Sequence, residues 1–301
     1  TWANERTQWG APIGKHAAIA DKLGRMAANT FAMESMTLLA ASHVDRDKHA
    51  DIRLEAAMCK LWGTEHAWEI VNEAMQVRGG RGYETADSLK ARGENPVPVE
   101  RLLRDSRINT IFEGSSEIMR LFIAREMLDP HLKVSGAVLN SQLPKGQRMK
   151  AAFKAAAFYA GWYPKQWLPT GSGFTVQSSE LMGHMNYVAR TSRKLARSLF
   201  HAMVKFGPKL EREQLLLGRF VDIGTELFAI TASCLRADQL SGEGRGEVVR
   251  LADYFCHSAR LRVGEYFRQL GKNNDRIGYR IAQDTLKGEF AAMEKGIVSK
   301  S

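Results

Sequence analysis

The sequence lacks the features that mark disulfide-rich, metal-binding and membrane-spanning proteins. It has 3 cysteines in 301 residues, none with CxxC spacing, so neither a disulfide framework nor a zinc site is expected. No run of about 18 uncharged apolar residues would form a membrane span. The 8 histidines show no HExxH spacing, and GxGxxG and P-loop motifs are absent. This profile is typical of a soluble globular protein in a reducing compartment, without a metal.

Proline is also scarce, at 8 residues, and strong helix formers such as Ala, Leu, Met and Glu are plentiful. Within residues 50–77, Ala57, Leu61, Thr64 and Trp68 follow one another in alternating steps of four and three. This spacing places them on one face of a helix. No strand signal is convincing. We predict an all-α fold of two helical bundles in series, with further helices at about 16–44, 147–160, 178–206, 209–240, 244–270 and 273–296.

The expected domains are a first bundle at residues 1–132, a linker at 133–146 and a second helical domain at 147–301. Gly136, Pro144 and Gly146 indicate the linker. The polar stretch from Glu84 to Pro98 reads as a loop.

Charge separates the two parts of the chain. Residues 1–132 carry 17 Lys+Arg and 19 Asp+Glu, a balance of −2, whereas residues 133–301 carry 26 and 14, a balance of +12. A basic domain favours an anionic partner, either a membrane surface or a nucleic acid.

Glu113 is the carboxylate that the residues themselves single out. It follows the apolar Ile111 and Phe112, and an apolar environment raises the pKa of a carboxylate toward that of a neutral-pH base. Ser115 or Ser116 is a candidate N-cap, so backbone N–H groups of a helix start lie close to Glu113 and could bind an oxyanion. An acidic residue that merely favours the helix dipole fits the same pattern.

Three motifs resemble those of the acyl-CoA dehydrogenase family. They are ERTQWG at residues 5–10, QVRGGRGY at 76–83 and RLLRDSRINTIFEGSSEIMR at 101–120, in the family's order. The resemblance implies that Glu113 removes the α-proton of an acyl-CoA thioester while a hydride passes from the β-carbon to FAD. It also implies that the thioester carbonyl binds the backbone N–H of Glu113. Phe112 would flank the acyl chain, and Gly114 would keep the turn open.

The same resemblance assigns FAD contacts. The first motif would meet the FAD of a neighbouring subunit, Gln76 and Gly80 would contact its adenosine part, and two positions after the base would add further contacts. The matched residues are Arg6, Gln8, Trp9, Gln76, Gly80, Ser115 and Glu117. Ala17 stands where many members have Gln, and 84–96 resembles an insertion. The family's N-terminal and middle domains are not in this sequence, so the chain alone is expected to be inactive.

Residues 133–301 resemble, more faintly, the extra helical domain of very-long-chain acyl-CoA dehydrogenases, through EQLLLGRFVDIG at 213–224. Such members are typically membrane-associated homodimers. The stretch 143–168 fits this implication, since it has five cations, six aromatic residues and no acid. Basic residues attract anionic lipid, and Trp and Tyr prefer the interface. A core-packed helix with a solvated basic face is the alternative.

We therefore expect a homodimer that oxidises long-chain acyl-CoA to trans-2-enoyl-CoA in fatty acid β-oxidation. Its electrons would pass to an acceptor such as an electron-transfer flavoprotein. The expected location is the bacterial cytoplasm or the mitochondrial matrix, with peripheral contact at the inner membrane. The alternatives are a non-catalytic relative used in assembly and a nucleic-acid-binding relative, which salt-dependent DNA binding would distinguish.

Overall fold

A computed structural model describes residues 1–140, 142–169, 171 and 173–294 of the chain. Twelve α-helices lie within these ranges, and the all-α prediction is confirmed. Within the same ranges, no helix combines the length and apolarity needed to cross a membrane. The helices are α1 (Trp2–Glu5), α2 (Ala17–Arg46), α3 (Arg53–Arg78), α4 (Gly80–Tyr83), α5 (Ala86–Ala91), α6 (Val99–Arg107), α7 (Ser116–Leu139), α8 (Lys145–Lys165), α9 (Ser179–Phe206), α10 (Gln214–Gly242), α11 (Glu247–Gly271) and α12 (Asp275–Leu286).

The expectation of no strand is wrong at the N-terminus. Two short antiparallel strands, β1 (Thr7–Gln8) and β2 (Ala11–Pro12), form a hairpin. Trp9 and Gly10 connect them with φ values of 50° and 78°, the left-handed pair that a tight two-residue hairpin needs. The sequence pattern did not predict these strands, because two residues are too few to show an alternation of apolar and polar side chains.

The prediction that the helix over 50–77 ends at the glycine run is confirmed. The helix α3 ends at Arg78, and Gly79 follows with φ 59°, a conformation that glycine adopts without a side-chain clash. Ala57 and Leu61 of the predicted face are buried, as are Met58 and Trp62 on the adjacent face.

Three other boundaries differ from expectation. The predicted loop over 84–98 contains α5, which starts because the Thr85 hydroxyl accepts a hydrogen bond from the Ser88 N–H. The predicted linker over 133–146 is helical as far as Leu139, since a single Gly136 is tolerated inside a long helix. The helix expected over 273–296 ends at Leu286. Residues 295–296, like the end of the predicted domain at 301, lie outside the described residues.

The helices of both predicted segments share one core. The helix α10 packs against α2 and α7 of the first segment as well as against α9 and α11 of the second. Its buried residues include Val221, Ile230 and Cys234, all fully enclosed, because a helix surrounded by others buries apolar residues on every side. The division of the chain into domains at 133–146 stays a prediction.

Candidate active site

Glu113 lies in a strained turn at the start of α7. Its φ is 53° and that of Gly114 is 93°, and the left-handed region costs a non-glycine residue roughly 1–2 kcal/mol. A Cβ on Gly114 would come within 2.7 Å of the flexible Met119 side chain, and the φ of 93° strains any residue with a side chain, so glycine is favoured here. Ser115 caps α7, with its hydroxyl accepting a hydrogen bond from the Ile118 N–H at 3.5 Å. The predicted N-cap is therefore confirmed at Ser115.

Lys60, on the neighbouring helix α3, holds the turn through hydrogen bonds to its backbone. Its ammonium donates hydrogen bonds to the carbonyl oxygen of Phe112, at 3.3 Å, and to that of Gly114. It forms no ion pair with any carboxylate of the described residues. The backbone N–H of Glu113 donates to no acceptor in the described part of the chain. The turn thus presents an exposed carboxylate and an unpaired backbone donor on the same residue.

A cleft of about 500 Å³ lies beside the turn, between α3 and the start of α7. Ser115 and Glu117 line it, together with Trp68 and Arg107. The Arg107 guanidinium lies over the Trp68 ring, 5.3 Å from its centroid. This cation–π contact holds the two side chains together in the wall of the cleft. The pKa of the exposed Glu117 is lowered by hydrogen bonds from its own backbone N–H and from the Ser115 hydroxyl. The cleft therefore offers hydrogen-bonding groups of both kinds and an aromatic surface.

Arg120 anchors the start of α7 to two other helices. Its guanidinium makes a bidentate pair with Glu65 of α3, at 2.8 and 2.9 Å, and donates to Asp222 of α10 at 2.9 Å. Burial raises the pKa of Asp222 to about 6, although the charge of Arg120 opposes this. This three-residue bridge fixes the helix that carries the Glu113 turn relative to both segments of the chain.

The other proposed FAD contacts gather at the far end of α3. The Trp2 indole N–H donates to the Val77 carbonyl at 3.2 Å, and Ala3 and Ile13 pack with Val77 in a small cluster. These contacts bring the N-terminal hairpin next to the glycine turn. The predicted FAD contacts in these two segments are Arg6, Gln8 and Trp9 on one side and Gln76 and Gly80 on the other.

Their side chains are open to a ligand or partner. Trp9 is 94% exposed, which is unusual for so large an apolar group. The side chains of Arg6 and Gln76 make no hydrogen bond or ion pair with the described residues. A Cβ on Gly80 would meet nothing within 4 Å, so space remains for another molecule to approach the backbone there.

The predicted site residues therefore form two groups. One group surrounds Glu113 and contacts α3 at Lys60, and the other lies near Gln76, sixteen residues along the same helix. At 1.5 Å per residue, Gln76 lies roughly 24 Å along α3 from Lys60 and roughly 12 Å from Trp68, which lines the cleft with Ser115 and Glu117. Sequence reasoning placed both groups but missed Lys60, since the contact joins residues more than fifty positions apart.

A third group of polar residues lies between α9 and α11. His184, Asp253 and His257 have potential ligand atoms within 4.8 Å of one another. However, Arg260 donates to His184 Nδ1 at 3.3 Å, so the ring proton is on Nε2, which donates to Asp253 at 2.8 Å. A histidine that binds a metal normally donates its other ring N–H to an acceptor, whereas both ring nitrogens of His184 are already in hydrogen bonds to protein groups. The arrangement is therefore a hydrogen-bonded network between two helices.

Comparisons with known proteins agree with the motifs. Residues 1–128 match the family described as acyl-CoA dehydrogenase, C-terminal domain. The probable acyl-CoA dehydrogenase FadE10 of Mycobacterium tuberculosis is 46% identical over the whole chain, which covers 47% of that protein. The human mitochondrial very long-chain specific acyl-CoA dehydrogenase is 31% identical over 87% of the chain and 39% of its own length. The chain thus spans about half the length of these relatives or less.

A solved structure has the same fold. The crystal structure of an acyl-CoA dehydrogenase complexed with FAD from Bacillus anthracis aligns with a TM-score of 0.65. The alignment covers 94% of this chain and 46% of that one, at 24% sequence identity. The resemblance therefore extends through the helices after residue 128, beyond the part that the family description matches.

Proposed function

The chain belongs to the acyl-CoA dehydrogenase family, and we propose that it is the helical part of an enzyme that oxidises long-chain acyl-CoA to trans-2-enoyl-CoA. The observation that carries this proposal is the Glu113 turn. It joins a free carboxylate to a free backbone N–H of the same residue, and α-proton removal from a thioester needs both a base and an oxyanion donor.

Glu113 has two roles in this reaction. Its carboxylate takes the proton from the α-carbon, and its N–H donates a hydrogen bond to the thioester oxygen as negative charge develops there. Phe112 and Ile111, 44% and 53% exposed, provide apolar surface for the acyl chain. Gly114 lets the chain reverse direction without a side chain in the way. When bound, FAD supplies the acceptor for the hydride from the β-carbon.

The described residues fit FAD at the two groups. Arg6 has a guanidinium without an internal partner among the described residues, which suits a pyrophosphate, and Gln8, Trp9, Gln76 and Gly80 are exposed in the same region of the chain. Ser115 and Glu117 line the cleft near the base. By the family resemblance, the two groups would contact FAD molecules held mainly by different subunits of a homodimer. Residues 1–132 would then form the dehydrogenase bundle and 147–301 the extra helical domain.

The long-chain preference and the partners extend this proposal. The human relative is named as very long-chain specific, and α8 has an exposed basic and aromatic surface that suits peripheral membrane contact. An electron-transfer flavoprotein is the proposed electron acceptor. The names of the relatives favour a dehydrogenase over the assembly or nucleic-acid-binding alternatives.

The direct test replaces Glu113 in the full-length, FAD-loaded protein. Glu113→Gln keeps the size of the side chain but removes the base, so flavin reduction by a long-chain acyl-CoA should slow by at least about a hundredfold. FAD should remain bound, because the contacts assigned to it are on other residues. Anaerobic stopped-flow absorbance measures the reduction, and the protein-bound flavin spectrum measures occupancy.

Glu211→Gln is the matched control, since Glu211 is exposed and lies in the 3-10 segment before α10. It should reduce flavin at the normal rate. A normal rate in Glu113→Gln would exclude Glu113 as the base. Comparing acyl chains of increasing length in the wild-type protein tests the long-chain preference.

A further inference from the structure

The planar geometry of the peptide bond links Lys60 to the donor on Glu113. The C=O of Phe112 and the N–H of Glu113 belong to one trans peptide and point in opposite directions. Lys60 holds that carbonyl oxygen at 3.3 Å, so the N–H of Glu113 points away from α3. The same reasoning applies to Gly114, whose carbonyl also accepts from Lys60. One ammonium group thus holds the peptide on each side of the Glu113–Gly114 peptide.

Within the described residues, the Lys60 ammonium makes hydrogen bonds only to this turn, and its chemistry suits it to hold carbonyl oxygens. A protonated lysine offers three donors and no acceptor, and both of its hydrogen bonds go to this turn. Hydrogen bonds from charged donors are about twice as strong as neutral ones. A carbonyl polarised in this way also makes the N–H of its own peptide a better donor, because successive hydrogen bonds strengthen one another.

We propose that Lys60 is a positioning residue for the reaction, and that its ammonium holds the left-handed turn and aims the Glu113 N–H at the thioester oxygen. The inference rests on the proposed function and adds a residue to its site. Lys60 acts through the backbone of residues 112–114, where it holds two carbonyl oxygens.

The test uses the full-length, FAD-loaded protein with three variants of Lys60. Lys60→Met keeps the apolar stem but removes every donor, and its flavin reduction by acyl-CoA should slow at least about tenfold, less than the loss of a whole oxyanion donor. Lys60→Arg and Lys60→Gln keep donors with a different shape or without charge, so both should be intermediate. Lys194→Met is the control, since Lys194 packs on Phe267 in the other segment and should behave as wild type.

Two readouts separate positioning from loss of stability. The C=O stretch of an isotope-labelled thioester, bound to each variant in the Glu113→Gln background, reports polarisation by the N–H of residue 113. This stretch should move toward the value in water in the order Lys, Arg, Gln, Met. Hydrogen–deuterium exchange should accelerate in the peptide covering residues 108–119 of Lys60→Met and remain unchanged in α10. Should Lys60→Met fail to fold, Lys60→Gln and Lys60→Arg give the same comparison.

An unchanged stretch and a normal reduction rate in the folded variants would overturn the role of Lys60. The two proposals fail separately. If Glu113→Gln reduces flavin normally, the base assignment is wrong whatever Lys60 does. If Glu113→Gln is inactive but Lys60→Met and Lys60→Gln reduce flavin at the wild-type rate, only the positioning role is wrong.

Discussion

Arg6 is a cation without a partner among the described residues, and this sets a test of cofactor sharing. Arg6→Ala removes a charge-assisted hydrogen bond of about 1.5–3 kcal/mol, so FAD should bind roughly 10- to 100-fold more weakly. The proposed dimer should weaken with it, because a ligand that bridges two subunits stabilises their assembly. Flavin content after gel filtration and sedimentation velocity measure the two effects.

The control is Arg245→Ala, an exposed arginine 3.9 Å from Glu247 and far along the chain from both groups. It should retain FAD and the dimer. An Arg6→Ala protein with unchanged flavin affinity would contradict the proposed contact with the pyrophosphate.

His184 should make stability depend on pH. Burial lowers the pKa of His184, and the charge of Asp253 only partly opposes this. Unfolded histidine has a pKa of about 6.5, so below that pH the unfolded state gains a proton that the folded state resists. Stability is therefore lost as pH falls from about 6.5 toward the lower folded pKa. The melting temperature should fall between about pH 7.5 and 5.5.

His184→Gln isolates this contribution. A glutamine can accept from Arg260 and donate to Asp253 without titrating in this range, so its melting temperature should fall less over the same interval. His49→Gln, at an exposed position, should fall as much as wild type. Equal slopes for His184→Gln and wild type would show that His184 does not contribute.

At the scale of elements, α8 has one side that packs against other helices and one side that is exposed. Each of the two interpretations of the stretch 143–168, a packed helix and a membrane-facing surface, therefore fits one side of it. Its inner side packs on α7 and α9, where Tyr159 and Trp162 contact Phe200 and His131. Its outer side leaves Phe153 72% exposed, with Lys150 and Lys154 also exposed. Three of the six aromatic residues are therefore half-buried against α7 and α9, and the other three are exposed, with Phe153 on the same side as the lysines.

This surface predicts salt-sensitive binding to anionic vesicles. Each cation near such a surface contributes about 1 kcal/mol, so replacing Lys150 and Lys154 together by Gln should weaken binding about thirtyfold at low salt. Salt should weaken binding of the wild-type protein as well. Vesicle sedimentation with anionic and neutral lipid measures it.

Replacing Lys209 and Lys287 by Gln gives a control with the same loss of charge at exposed sites outside α8. It should retain most of the affinity. Equal binding of the wild-type protein to neutral and anionic vesicles would contradict the electrostatic attraction. No binding to either would leave the exposed aromatics of α8 as a surface for another protein.

At the scale of the whole molecule, a buried polar link shows how the two segments are joined. The carboxylate of Glu226 in α10 accepts from the Trp62 indole N–H of α3, at 3.3 Å, and from Arg262 of α11, at 2.6 and 2.9 Å. Glu226 is 2% exposed, so its charge needs both partners. The first segment is therefore tied to the second through paired polar groups as well as through apolar packing.

The sequence by itself determined the features that depend on neighbouring residues. Helical periodicity predicted α3, and the glycine run predicted its end. The Phe-Glu-Gly sequence at residues 112–114 located Glu113 just before a serine N-cap. Each of these signals lies within a few positions, where local geometry decides the backbone. The tertiary structure alone decided that α10 enters the core of the first segment and that Lys60 reaches Phe112 and Gly114. Those contacts join residues more than fifty positions apart, and only the packing of α3 against α7, and of α10 against α2 and α7, brings them together.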